Sequence, residues 1–161
     1  MSRRSEVSAG ILAFRQKPAL ELLLAHPGGP YWHNKDDGAW SIPKGNVESD
    51  DLLACAKREF NEETGLTPAG PFVTLKPLRQ KSGKMVHVFA MEADFDLSRF
   101  SSNQFEMEWP PRSGKTKTFP EIDRIAYFNV AKARRKILLG QRAFIDELIL
   151  HLKADGKSSS A

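Results

Sequence analysis

An internal disulfide is out of reach of this chain, which carries one cysteine, Cys55, among 161 residues. Long apolar runs are missing as well. No stretch approaches the roughly 20 residues that a membrane helix needs, and the opening MSRRSEVSAG lacks an apolar signal core. No membrane association is expected, and a soluble, cytoplasmic protein is. Neither charge sign dominates: 24 Lys and Arg stand against 20 Asp and Glu, a net +4. That balance suits an anionic small molecule and equally suits weak contact with nucleic acid. Histidine is scarce, and none stands near Cys55 in a recognisable arrangement, so Cys55 reads as a small filler rather than a nucleophile. There is no internal repeat. What is present is enough for one domain with a real core, since 40% of the residues are apolar.

The informative stretch is GNVESDDLLACAKREFNEETGL, from Gly45 to Leu66. On a helix, Glu59, Glu62 and Glu63 fall at i, i+3 and i+4, so three carboxylates share one face. Leu53, Ala56 and Phe60 form an apolar stripe on another. Arg58 can hold a carboxylate by a bidentate contact and fix its rotamer. Ser49, Asp50 and Asp51 offer a capping side chain at the start, and Gly65 suits a left-handed cap at the end. Three mutually repelling carboxylates need a counter-charge. Hard oxygen donors suit Mg²⁺, with Mn²⁺ as a substitute, whereas the absence of thiolates and paired histidines argues against zinc. The alternative is a solvated acidic helix face.

At these residues the chain resembles the Nudix hydrolase family. REFNEETGL matches every specified position of the second half of that family's box. The first half is one residue short between Gly45 and Arg58, and Asp50 stands where a glutamate belongs. WSIPKG, an early GILAF strand and a late FPEIDRIAYF segment follow the family order. HPGGPYW, KDDGAWSIPKG, RQKSGK and EWPPRSG further resemble a bacterial-type subgroup of predicted NTP pyrophosphohydrolases. The resemblance implies an α/β (α+β) fold, an α/β/α sandwich around a mixed central sheet. It places the domain at 7–153, with 1–6 and the tail 154–161 flexible. It also implies metal ligation by Glu59, Glu62 and Glu63 together with the Lys44 carbonyl. Some family members supply a further carboxylate from a loop before the late strand, a place that Glu121 occupies ahead of Tyr127.

Elsewhere, Val7–Phe14 and Leu20–His26 read as neighbouring strands, and HPGGPYWHNKDDG as a long loop at the mouth of the site. Trp40–Ile42 reads as a strand, Phe72–Arg79 and Met85–Phe95 as a pair across the KSGK turn, and Phe105–Trp109 and Ile125–Phe128 as two more. A helix capped by Asn129 runs to Leu139 and ends at Gly140. A second covers Gln141–Lys153, with Phe144, Ile145, Leu148, Ile149 and Leu152 as a core stripe rather than a membrane or partner face.

Arg79, Lys81, Lys84 and His87 flank the KSGK turn and could reach the distal phosphates, and Lys44 of WSIPKG joins Arg79, Lys81 and Lys84 as a candidate for substrate binding. Solvated surface lysines are the alternative. Tyr31, Trp32 and His33 could stack a base or simply fold down with the loop. Arg112, Lys115 and Lys117 form a basic patch without any defined nucleic-acid-reading motif. The expected function is metal-dependent hydrolysis of a phosphoanhydride in a nucleoside diphosphate linked to another moiety, with Arg58, Glu59, Glu62, Glu63 and Glu121 as catalytic candidates. A nucleoside triphosphate or dinucleoside polyphosphate leads as substrate. A non-catalytic Nudix-fold nucleotide- or RNA-binding regulator is the alternative. The proline of ADP-ribose enzymes and the tyrosine of many diadenosine polyphosphate enzymes have no counterpart around 81–84, and oligomeric state is left open.

Overall fold

From Ser8 to Ala13 the first strand is almost wholly excluded from solvent on both faces. That is the mark of a strand at the centre of a sheet covered twice, and it explains why GILAF is a continuous apolar run rather than an alternating one. In the computed structural model, which describes residues 6–16, 18–48 and 51–159 with side chains through Asp155, β1 (Val7–Gln16) is that strand. It pairs in parallel with β6 (Met85–Glu92), from Val7 opposite Met85 to Phe14 opposite Glu92. It pairs antiparallel with β2 (Leu20–Pro27) at its far end and with β3 (Lys44–Asn46) at its near end. Adding β4 (Phe72–Thr74), β5 (Leu78–Arg79) and β9 (Ile122–Asn129) gives a mixed sheet of seven strands.

The pleat sorts the core into two layers. Ala9, Ile11 and Ala13 of β1, with Leu23, Phe89 and Met91, face Cys55, Ala56 and Phe60 of α1 (Leu52–Thr64). Leu12 and Phe14, with Leu22, Leu24, Val86 and Val88, face the other way. They meet Ala133 of α2 (Val130–Lys136) and Phe144, Ile145 and Leu148 of α3 (Arg142–Ser159). Each such fully buried Leu, Ile or Phe contributes roughly 1.5–3 kcal/mol relative to exposure. The expected α/β/α sandwich is thus the one observed. Cys55 is buried among these residues as a filler. No helix of the described residues is long and apolar enough to cross a membrane.

Several boundaries differ from expectation, each for a local reason. Trp40–Ile42 is no strand: Ser41 bridges Ala25 and Trp40 bridges Ile137 singly, and the ladder resumes only after Pro43, which has no N–H to give. The Phe72–Arg79 strand is broken in two around Pro77. The helix expected to reach Leu139 stops at Lys136, because buried Ile137 turns extended and bridges Trp40. Gly140 lies within a 3₁₀ turn, Leu139–Gln141. Gln141 is buried because its Oε1 accepts from the Ile42 amide at 2.9 Å, serving the irregular backbone that β3 leaves unpaired. α3 passes the expected end at Lys153, where His151 and Asp155 pair at 3.3 Å one turn apart.

The largest departure is a second sheet. β7 (Gln104–Glu108) is joined by an unforeseen partner, β8 (Thr116–Pro120), in a separate two-stranded hairpin with PPRSG at its tip. Ser49 and Asp50, expected near the helix cap, and residues 1–5 lie outside the described residues.

Candidate active site

α1 is fixed at both ends by its own sequence. The Asp51 carboxylate accepts from the Ala54 amide at 2.9 Å, and Gly65 closes the helix in the left-handed region at φ 74°. Phe60 and Ala56 are fully buried beneath it, so the rotation of the helix is set and Glu59, Glu62 and Glu63 are turned away from the core stripe. Arg58 donates to Glu59 Oε2 at 3.0 Å and lies 3.4 Å from both oxygens of Glu62. One guanidinium therefore serves two of the three carboxylates. Gly45 of β3 lies directly against the third side of Glu59: a Cβ there would overlap its carboxylate, so only glycine lets the strand pass.

The electrostatics of this corner are unbalanced. Burial, reinforced by the charges of Glu59 and Glu121, pushes the Glu63 carboxyl up to about 8, against the pull of Lys44 through its charge and a backbone hydrogen bond. Burial also raises Glu59, opposed by Arg58 and reinforced by Glu62 and Glu121. Lys44 is drawn downward by its own burial and by neighbouring Lys84. The Lys44–Glu63 pair is thus pressed toward neutrality from both sides, and ionising Glu63 beside Glu59 and Glu121 leaves a deficit of positive charge. A hard divalent cation fits this donor set of oxygens and this deficit. Among the described residues, no three metal-ligating side chains are already gathered round one point.

Glu121 joins the cluster from the other side of the chain. Its backbone is tied twice, donating to the Asn103 carbonyl at 2.7 Å and accepting from Gly28 at 2.9 Å. Lys84 also reaches the corner, with Nζ 2.6 Å from Asn46 Oδ1 on β3. Arg79 instead closes its own turn onto the Gly83 carbonyl at 3.0 Å, and Lys81 stands exposed on that turn. His87 is half-buried on β6 opposite Ala9. Arg112 at the hairpin tip, Lys115 just after it and Lys117 on β8 opposite Met107 are exposed, away from the carboxylates in sequence and sheet.

Beside Glu63 and Lys44 opens a pocket of about 230 Å³, lined also by Trp32, Ser41, Ile42 and Leu138. Of the three loop aromatics that could meet a base, only Trp32 lines it. Tyr31 is exposed and rests edge-on against Trp109 at 5.3 Å, and His33 lines a different cavity. Ser41, Ile42 and Leu138 carry no chemical signature in the sequence. Ser41 and Ile42 reach the pocket through the irregular segment after the long loop, and Leu138 through the extended link after α2, where its amide donates to the Trp40 carbonyl at 2.8 Å.

A helix bearing three half-buried carboxylates, laid against a glycine strand on an α/β/α sandwich, is the arrangement of a Nudix-type pyrophosphohydrolase, an enzyme acting on acid anhydrides. The chain belongs to the NUDIX domain family, whose model matches residues 4–148. Comparison with curated protein sequences returns no match. Among solved structures, an Ap4A hydrolase from C. elegans is similar with a TM-score of 0.61 at 18% identity, over 91% of this chain and 98% of that one. The NUDIX domain of Shewanella oneidensis NrtR, complexed with ADP ribose, gives 0.62 at 13%, over 91% and 87%. A MutT protein from Methanosarcina mazei Go1 gives 0.55 at 19%, over 91% and 94%. At such identities these likenesses speak to fold. Enzymes of this family generally use divalent metals.

Proposed function

We propose that the protein hydrolyses a phosphoanhydride bond in a nucleoside diphosphate linked to another moiety, a nucleoside triphosphate or dinucleoside polyphosphate, with Mg²⁺ as the metal and Mn²⁺ as a substitute. The observation that carries this reading is the shared wall of the 230 Å³ pocket: Glu63 and Lys44 lie on it together with the flat ring of Trp32. Acid, base and stacking surface therefore converge on one opening. Glu59, Glu62, Glu63, Glu121 and the Lys44 carbonyl would hold the metal, which supplies charge neutralisation along the phosphate chain.

The remaining roles belong to the chain itself. Arg58 holds Glu59 and Glu62 in register. Lys44 and Lys84, beside the carboxylates, attract the phosphates, with Arg79 and Lys81 further out on the same turn. Trp32 receives the base. The partner is a small nucleotide, and a cytoplasmic setting accords with a single unpaired cysteine.

A second reading is a nucleotide- or RNA-binding regulator without turnover. Its support is that the metal-ligating side chains do not stand gathered, together with the basic hairpin tip. The test is product release from nucleoside triphosphates, nucleotide sugars, ADP-ribose and dinucleoside polyphosphates, with Mg²⁺, with Mn²⁺ and with chelator. Metal-dependent cleavage of one class upholds the hydrolase. Binding without cleavage of any of them sinks it and favours the regulator.

A further inference from the structure

The 230 Å³ pocket beside Glu63 is smaller than the roughly 300–1,000 Å³ of a site that swallows a whole drug-sized ligand. It holds one end of a substrate, and the other end needs a seat. A cavity of about 430 Å³ lies next door, lined by Gly29, His33, Trp109, Phe119, Pro120 and Asp123. The two spaces have no lining residue in common, but neighbours along the same two segments line them. The loop gives Pro27 and Trp32 to one and Gly29 and His33 to the other, while the strand entry gives Ile122 to one and Pro120 and Asp123 to the other. Glu121 stands in that second partition, and its charge acts on Glu63.

The larger cavity is built rather than incidental. In the hairpin register Phe105 faces Phe119 and Met107 faces Lys117. Half-buried Phe105, Met107 and Phe119 alternate with exposed Glu106 and Thr118, so the hairpin has one apolar face. That face covers the loop: Phe105 lies against Gly29, and Trp109 carries Tyr31 on its edge. Asp123 is held from behind. His26, fully buried, donates its Nε2–H to the Lys35 carbonyl at 2.6 Å and sets its Nδ1 2.8 Å from Asp123 Oδ1. The result is an indole, an imidazole and a phenyl ring around a fixed acceptor, which is the chemistry that recognises a planar base bearing N–H donors.

We infer that this cavity under the β7–β8 hairpin seats a second nucleobase, so that the substrate is a dinucleoside polyphosphate spanning two base sites with its phosphates along Glu121, Glu63 and Lys44. The inference rests on the hydrolase reading for its chemistry and on the cavity for its geometry. The test compares Trp109→Ala with wild type on a dinucleoside polyphosphate and on the nucleoside triphosphate of the same base, both with Mg²⁺. The ratio of their kcat/KM values falls about tenfold, the scale of one lost base–aromatic stack, and Trp109→Phe restores most of it. A ratio that stays constant, whether both rates fall together or neither does, overturns the inference. If wild type cleaves neither compound, the hydrolase reading has failed by itself. The same ratio, taken as affinities of the two compounds for the metal-free protein by equilibrium dialysis, then decides the cavity on the same criterion.

Discussion

Glu63 is the residue at which stability and chemistry pull apart. The unfolded carboxyl releases its proton near 4.5 and the folded one near 8 in the absence of metal. Between those values the native state binds the extra proton, so the metal-free protein loses stability as pH rises through that window and loses no more above it. Glu63→Gln removes the ionisation. Metal-free Glu63→Gln therefore melts higher than wild type at pH 8.5 and level with it at pH 5, by calorimetry in chelator. The same change, like Glu62→Gln, lowers kcat/KM by roughly a hundredfold or more because a cation-facing oxygen is gone. Wild-type turnover in both variants would remove these glutamates from the site. The three glutamates were legible in the sequence because helical periodicity alone puts them on one face. Trp32 was not separable from Tyr31 and His33, since a loop of Gly, Pro and Asn has no period from which to read direction.

At the scale of elements, α1 shows how much a few residues determine. The Asp51 cap and the left-handed Gly65 bound it where turn chemistry and capping preference say they should. Asp51→Ala costs about 1 kcal/mol, read as a Tm about 2–4 °C lower for a chain of this size. An unchanged Tm would mean the helix start is held by packing alone. The elements that escaped the sequence reading did so because long-range contacts decide them. Ile137 looks helical, yet a bridge to Trp40, far away in the chain, straightens it. β8 carries TKTFP, exposed for most of its length and ending in proline, and only pairing with β7 makes it a strand. Gln141 is polar and buried because a distant backbone amide at Ile42 needs an acceptor. None of these partners is visible within a local window.

For the whole molecule, the carboxylate corner sits where α1 meets β3 on a twice-covered sheet, so binding there is felt as global stability. A divalent metal that binds only the folded state raises Tm by mass action. At a hundredfold excess over Kd the gain is about 2.7 kcal/mol, or roughly 5–10 °C. Because the proton on Glu63 competes with the metal until about pH 8, the Mg²⁺-induced shift is small at pH 6 and grows toward pH 8.5. A shift independent of pH would place the metal away from Glu63.

The β7–β8 hairpin shares no hydrogen-bond ladder with the seven-stranded sheet. Its sequence can therefore drift, lengthen or be exchanged while the sandwich and the box helix keep their folding information intact. On the proposed reading, in which the box helix carries the reaction and the hairpin seats a second base, the division of labour follows the division of the fold, and a new substrate is reached by rewriting the hairpin while the reaction is kept.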